Sequence, residues 1–313
     1  MVDHARFTID CDVLPKFTAA YLRTAGDECA FVEAHTGPAV PKLMAELEAR
    51  GKKPESVRYV VVTHAHLDHA AGASELLSRC PNATLLAHPR AARHLIDPSK
   101  LVASATSVYG EARFASLYGT IQPIPKERVR ALEDGETFEL GGATLTVHHT
   151  AGHAKHHFVV DDPATHSVFT GDTFGLVYPA LQRGTRFALA TTSPTDFDPA
   201  EARKSIAKVL SLDEEAACLT HFDAVTDLEE VASQVLRWID LSEELLDRET
   251  RFDHTPEQMH VAFAKDLRAS IAADTTARGL SLTPADWELL ALDIDLNAQG
   301  VAFVADKARK ARG

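Results

Sequence analysis

The sequence predicts a mixed α/β fold followed by a helical C-terminal region. Through the first 222 residues, short apolar runs rich in β-branched residues alternate with stretches that have helical spacing. From about Asp223 the strand-like runs end and amphipathic helical stretches remain. The chain of 313 residues is long enough for one large domain or two. We therefore predict a first domain over residues 1–222 and a helical domain over residues 223–313.

The predicted elements follow in order from these patterns. Strands are expected where apolar and β-branched residues cluster between turn signals, at residues 7–10, 19–23, 30–33, 57–62, 83–88, 136–140, 143–148, 157–160, 167–170 and 216–220. Helices are expected at residues 41–50, where Pro41 suits a first turn and Gly51 ends it, over most of 89–119, and at 199–210. Beyond Asp223, amphipathic spacing predicts helices at residues 228–248, 256–273 and 284–310.

Composition and charge narrow the function classes. A formal net charge of −13 gives no electrostatic support for nucleic-acid binding, and no apolar run approaches the length that spans a bilayer. The four cysteines form no Cys-x-x-Cys pair, which favours reduced thiols over disulfides. The N-terminus lacks the layout of a signal peptide. We expect a cytoplasmic protein that binds a small-molecule substrate, and a homodimer is an open alternative.

The densest chemical signal is a cluster of histidines at a predicted strand-to-helix turn. Residues 63–69 read Thr-His-Ala-His-Leu-Asp-His directly after the strand at 57–62. His64 and His66 are two residues apart in extended chain and project to the same side, while Asp68 and His69 enter the helix. Nitrogen and carboxylate donors in this pattern suit zinc, iron or manganese.

Three further donors each follow a predicted strand. His153 lies on a turn beside Gly152, Asp172 follows the strand at 167–170, and His221 follows the strand at 216–220. Such ends of strands are where sheet proteins gather reactive groups from distant parts of the sequence. In this order, after the histidine cluster, they predict one metal site.

Over about residues 1–222 the sequence resembles the metallo-β-lactamase-fold superfamily of metal-dependent hydrolases. The resemblance implies an αββα sandwich, here with a C-terminal helical extension, and a binuclear site that most often holds Zn²⁺, with iron or manganese as alternatives. By the family pattern, His64, His66 and His153 hold one metal, Asp68, His69 and His221 hold the other, and Asp172 bridges both. It further implies hydrolysis by a metal-bridging hydroxide, in which Asp68 has a catalytic role.

The sequence departs from the family pattern at three places around these ligands. Ala151 replaces the usual proline, and His156 stands where a glycine is common. An outer acid that supports the ligands is either Glu33 or missing. The neighbouring histidines at 148, 149 and 157, together with His156, are candidates for contacts behind the ligands or with substrate.

Within the superfamily, Asp172 argues against a true β-lactamase, since those usually lack the bridging carboxylate. Lactonases and thioesterases of the glyoxalase II type remain, although Ala65 stands where glyoxalase II usually has histidine. We predict a metallohydrolase acting on a small ester, lactone or thioester. The alternative is an iron-dependent redox member, either a persulfide dioxygenase or a di-iron oxygen-binding protein.

Two stretches are candidates for shaping the substrate pocket. Residues 101–120 carry Tyr109, Phe114 and Tyr118, and residues 174–197 follow the Asp172 position directly. In the second stretch, Arg183 or Arg186 could bind a substrate carboxylate, with a solvated surface role as the alternative.

Overall fold

The computed structural model of the protein describes residues 2–11, 14–192, 196–249, 251 and 254–312. The chain divides into two compact units that interleave along the sequence. Unit 1 comprises Met1–His149, His156–Gly171 and Leu212–Thr226, and unit 2 comprises Thr150–Lys155, Asp172–Ser211 and Asp227–Gly313.

The first sheet lies within unit 1 and follows chain order. Its strands are β1 (His4–Asp10), β2 (Ala19–Ala25), β3 (Glu28–Val32), β4 (Val57–Val62), β5 (Thr84–Ala87) and β6 (Val129–Ala131). The first three strands are antiparallel, whereas β3 to β6 run parallel. Parallel strands need crossover connections. Helices α1 (Val40–Ala49), α3 (Ala73–Arg79) and α4 (Pro89–Ile96) lie in those connections.

The second sheet has the order β12-β11-β10-β9-β8-β7. Its strands are β7 (Thr137–Leu140), β8 (Ala143–His149), β9 (Phe158–Asp162), β10 (Ser167–Leu176), β11 (Ala216–His221) and β12 (Asp223–Val225). Every residue of β10 and of β11 is buried, as expected for strands covered on both faces.

The two sheets pack against each other within unit 1 through large buried side chains. Tyr21 of β2 contacts Phe169 of β10 edge to face, with ring centroids 5.4 Å apart. The Tyr21 hydroxyl donates to the Leu219 carbonyl of β11 at 2.6 Å. Arg23 of β2 and Asp162 of β9 form a fully buried ion pair. These contacts fix the alignment of the strand ends that precede the candidate site.

The remaining helices are divided between the two units, and the three longest lie in unit 2. Unit 1 holds α2 (Leu67–Ala70), α5 (Ser99–Tyr109) and α6 (Glu111–Tyr118). Unit 2 holds α7 (Pro199–Ser211), α8 (Leu228–Glu249), α9 (Pro256–Ala277), α10 (Pro284–Leu289) and α11 (Ala291–Arg312). Helices α8, α9 and α11 share a core built around Leu245, Phe263 and Val301. Among the described helices, none combines the length and apolar character needed to cross a membrane.

The mixed α/β fold with two sheets and a helical C-terminal region confirms the predicted fold class. Sequence patterns missed β6 and β12, because each has only three residues and is shorter than a recognisable strand signal. Residues 284–310 were predicted as one helix, but Leu290 separates α10 from α11. No glycine or proline marks that break, so periodicity could not reveal it. The predicted domain boundary after residue 222 stays a prediction, although β12 extends the second sheet beyond it.

Candidate metal centre

The histidine cluster begins directly at the end of β4, whose last three residues are buried. Thr63 and His64 are fully buried, and the Thr63 hydroxyl lies 3.1 Å from Nδ1 of His64. The opposite nitrogen of His64, Nε2, is 2.9 Å from Nδ1 of His66. The extended chain between these two histidines therefore turns both imidazoles toward one point.

Asp68, His69 and His221 form a second convergence within unit 1. Oδ2 of Asp68 lies 3.6 Å from Nε2 of His69 and 3.6 Å from Nε2 of His221. Their ligand atoms all lie within 4.8 Å of one another. Both imidazoles are buried, whereas the Asp68 side chain is 41% exposed. The group is therefore open to solvent on its carboxylate side.

Glu33 supports this group from behind. Its carboxylate accepts hydrogen bonds from the Thr63 hydroxyl and, at 3.3 Å, from the Thr63 backbone N–H. Oε1 lies 3.1 Å from Nδ1 of His69 and 3.5 Å from the Thr220 hydroxyl, which donates to it. An acid that accepts from Nδ1–H fixes the tautomer of His69 and leaves Nε2 for a ligand. Glu33, which the sequence left undecided as the outer acid, thus lies directly against the candidate ligand His69.

His153 and Asp172 come together within unit 2. Nε2 of His153 is 3.4 Å from Oδ2 of Asp172, and both side chains are almost fully buried. The Thr191 hydroxyl lies 2.9 Å from Nδ1 of His153 and donates to the Asp172 carbonyl at 3.0 Å. Sequence reasoning missed Thr191, because a lone threonine in a loop carries no pattern.

The turn that carries His153 depends on Gly152. This glycine has φ of +124°, and a Cβ there would lie 2.3 Å from the backbone nitrogen of Ala202. Only glycine tolerates this approach, so the predicted need for Gly152 at a tight turn fits the structure. The usual proline is not needed at Ala151, whose carbonyl accepts from the Ser205 hydroxyl at 2.5 Å.

The other histidines divide into two groups. The Ala65 N–H donates to Nδ1 of His156 at 3.3 Å, and the ring of His157 lies 5.0 Å from that of His64, so both border the cluster. His149 instead lies 2.9 Å from the Leu132 carbonyl and its ring lies 4.1 Å from that of His88. Burial and the neighbouring His149 lower the pKa of His88 to about 4.

The two candidate pocket stretches have different roles. Phe114 of α6 packs against Leu67 and Ala71, on either side of Asp68 and His69, so this aromatic side chain borders the cluster. Arg183 instead forms two hydrogen bonds with Asp286, at 2.9 and 2.7 Å. Arg186 pairs with Asp227 in the same way, at 2.7 and 2.6 Å. Both arginines therefore bind acids of their own unit. The part of this stretch at residues 193–195, including Pro194, lies outside the described residues.

The donor chemistry of both units fits divalent cations. Imidazole nitrogens and carboxylate oxygens together form a mixed donor set that zinc, iron and manganese accept. In each unit, at least one histidine has its Nδ1 held by an oxygen partner, Glu33 for His69 and Thr191 for His153. Metal-binding histidines are oriented in this way in proteins.

Comparison with known proteins identifies the family. The Metallo-beta-lactamase superfamily family model matches residues 15–221. A segment of 130 residues is 32% identical to the metallo-beta-lactamase fold-containing protein ST1585 of Sulfurisphaera tokodaii, and one of 157 residues is 27% identical to an atrochrysone carboxyl ACP thioesterase of Aspergillus fumigatus. These segments cover 40% and 50% of this chain but only 47% and 39% of the relatives, so the chain spans less than half of their length.

Solved structures agree on the fold. The crystal structure of ST1585, from Sulfolobus tokodaii, gives a TM-score of 0.66 at 20% identity and covers 96% of this chain and 98% of its own. The metallo-beta-lactamase family protein TTHA1429 from Thermus thermophilus gives 0.63 at 18% identity, with 98% and 94% covered. With the family model matched over most of its length, this chain belongs to the metallo-β-lactamase superfamily.

Proposed function

We propose that the protein is a binuclear metal-dependent hydrolase that acts on a small ester, lactone or thioester. The observation that carries this proposal is the convergence of Asp68, His69 and His221 in unit 1, supported from behind by Glu33. The group places two buried imidazoles beside a carboxylate that is exposed to solvent, so a cation could reach its ligand atoms.

The proposed ligand set is the one that the family pattern assigns. One ion would be held by His64, His66 and His153, the other by Asp68, His69 and His221, and Asp172 would bridge them. The pairing of His64 with His66 in unit 1, and of His153 with Asp172 in unit 2, supports this assignment. Zinc is the first metal to test, with iron and manganese as alternatives.

When bound, a pair of divalent cations lowers the pKa of coordinated water and polarises the acyl carbonyl of a substrate. The chain's own residues would orient the reactants and move protons around that centre. Asp68 suits proton transfer, because its Oδ2 lies beside two imidazoles while its side chain still reaches solvent. The side chains of His64 and His69 are buried from solvent. They would therefore serve as metal ligands of fixed orientation.

Three observations bear on the substrate class. The similarity to an atrochrysone carboxyl ACP thioesterase supports thioesters within the proposed range. Arg183 and Arg186 are engaged by Asp286 and Asp227, which argues against a substrate that these guanidinium groups would hold by a carboxylate. Phe114, which packs beside the Asp68 turn, supports an apolar substituent on the acyl group.

The deciding experiment combines elemental analysis of the purified protein with a substrate screen. We expect close to two equivalents of zinc and turnover of lactones or thioesters, lost on chelation and restored by added zinc. His88→Ala is the matched control, because the His88 ring packs at a tilt against that of His149, which is not among the proposed ligands. Activity confined to phosphodiesters or β-lactams would overturn the substrate class. Iron content with colour and oxygen uptake would instead favour the redox alternative.

We also propose that the protein works in the cytoplasm. Its four cysteines are buried with free thiols, which supports a reducing compartment. Fractionation of cells that express the tagged chain, followed by immunoblotting, tests this location. Recovery in the secreted or periplasmic fraction would contradict it.

A further inference from the structure

A threonine in unit 2 connects two of the proposed ligands. A hydroxyl has one hydrogen, and that of Thr191 is directed at the Asp172 carbonyl, 3.0 Å away, because a carbonyl can only accept. Toward His153, 2.9 Å away, the same oxygen must therefore accept. Nδ1 of His153 then carries the hydrogen, and Nε2 keeps the lone pair that faces Oδ2 of Asp172.

The backbone on both sides of Thr191 is held by one residue of the C-terminal helix α11. The Thr192 N–H donates to Oδ1 of Asn297 at 2.7 Å, and Nδ2 of Asn297 donates to the Ala190 carbonyl at 2.8 Å. The Thr192 hydroxyl donates to the backbone carbonyl of Asn297 at 3.1 Å. Asn297 is 6% exposed, so these bonds are shielded from water.

Helix α8 holds the backbone at Ala188, which lies just before residues 190–192. The Ala188 N–H donates to Oε1 of Gln234 at 2.9 Å, and Nε1 of Trp238 donates to the Ala188 carbonyl at 2.8 Å. Gln234 and Trp238 are both buried. The position of residues 188–192 is therefore set by two helices of the C-terminal region, with buried amide and indole groups as the fixed points.

We infer that the C-terminal helices are part of the metal-binding machinery, in which Asn297 positions Thr191 and Thr191 fixes the tautomer and orientation of His153 beside Asp172. This inference rests on the proposed function, because it assigns these residues a role toward the same metal pair. Thr191 and Asn297 are positioning residues that act through the ligands. Partners of this kind change metal affinity about 10–100-fold when they are removed.

The first test removes the Thr191 hydroxyl while keeping its volume. Thr191→Val should weaken zinc binding about 10–100-fold in competition with a chromophoric chelator, and Thr191→Ser should restore most of that loss. The visible spectrum of the Co²⁺-substituted protein should change in Thr191→Val and return in Thr191→Ser. Thr275→Val is the matched control, because its buried hydroxyl donates within α9 to the Ile271 carbonyl.

The second test asks whether Asn297 acts through Thr191. Asn297→Ala should weaken zinc binding in the same direction, and in a Thr191→Val background it should add little, since coupled residues are not additive. Asn297→Asp keeps the oxygen that accepts from the Thr192 N–H and loses the N–H that donates to the Ala190 carbonyl. It replaces Asn297→Ala in this test if the alanine variant does not fold. The melting temperatures of the metal-free wild type and variants show separately whether a substitution disturbs packing.

The outcomes separate the two proposals. A wild-type protein that binds no divalent metal overturns the proposed function and this inference together. Wild-type zinc affinity and an unchanged Co²⁺ spectrum in Thr191→Val overturn this inference alone. Fully additive effects of Thr191→Val and Asn297→Ala would contradict the role of Asn297 and leave the proposed hydrolase intact.

Discussion

Glu33 and His69 are joined by a buried contact in which Oε1 of the acid lies 3.1 Å from Nδ1 of the imidazole. Glu33 is 1% exposed and has φ of +69°, a left-handed conformation that is unfavourable for a residue with a side chain. The strain persists because the Thr63 hydroxyl and backbone N–H also bind this carboxylate. A strained, buried acid aimed at a histidine supports a role in orienting that histidine.

We therefore predict that Glu33→Gln weakens binding of one of two zinc ions by about 10–100-fold. The amide keeps one acceptor oxygen and places hydrogens where the other oxygen was, so it cannot accept from the Thr63 N–H and from Nδ1 of His69 together, and the orientation of His69 would be weakened. Zinc content after dialysis against graded chelator measures the effect. Glu55→Gln, at an exposed position, is the control. Loss of both ions in parallel, or of neither, would contradict this role.

Asp68 is predicted to do more than bind metal. Its side chain is 41% exposed while both imidazoles beside it are buried, so it can exchange a proton with solvent or substrate. Asp68→Asn should reduce turnover by about 100-fold or more, with a much smaller change in zinc content. Turnover and bound zinc measured on the same preparations test this. Equal losses of turnover and of bound zinc would show that Asp68 acts only as a metal ligand.

The fold and the cluster could be predicted from sequence for different physical reasons. Apolar runs such as Val57–Val62 must be buried, and their β-branched composition identifies strands without any tertiary information. His64, His66 and His69 are close in the chain, so local spacing alone brings their imidazoles near one another. In both cases, residues that are close together in the sequence carry the information that the prediction needs.

The groups behind the ligands could not be predicted, because they are ordinary residues brought close by tertiary structure. Asn297 lies over a hundred positions from Thr192 in sequence, yet binds its backbone N–H. Glu33 was recognised as a candidate only because an acid was expected in that segment. The partners of Arg183 and Arg186 could not be predicted either, since Asp286 and Asp227 lie far from them in the sequence.

The buried ion pair between Arg23 and Asp162 is predicted to be critical for stability. Both side chains are fully buried, and the Thr165 hydroxyl also donates to Asp162 at 2.7 Å. Asp162→Asn leaves the guanidinium charge buried without its counter-charge, which costs about 3–5 kcal/mol. Chemical unfolding of the metal-free protein measures this.

The control for that measurement is Glu46→Gln. Glu46 lies on α1 and pairs with Arg50, and both side chains are partly exposed. Its effect should be about 0–1 kcal/mol, because solvent screens a pair at the surface. If Asp162→Asn and Glu46→Gln destabilised the protein equally, the buried pair would have no special role in joining β2 to β9.

The pH dependence of stability is predicted to involve Glu214. Burial and the neighbouring Asp161 raise the pKa of the Glu214 carboxyl to about 7, while His166 opposes the shift. A raised folded-state pKa means that Glu214 favours folding below its unfolded pKa near 4.5, and this contribution is lost as pH rises through about 7. Above that range, two ionised carboxylates face each other.

Glu214→Gln should therefore leave the melting temperature near the wild-type value at pH 4.5 and raise it by about 2–4 °C at pH 8. Scanning calorimetry across this range, with chelator present so that metal binding does not contribute, measures the difference. Glu215→Gln is the control, because that neighbouring side chain is exposed. Melting curves of wild type and Glu214→Gln that stay parallel from pH 4.5 to 8 would contradict the raised pKa of Glu214, because a raised pKa makes the advantage of the variant grow with pH.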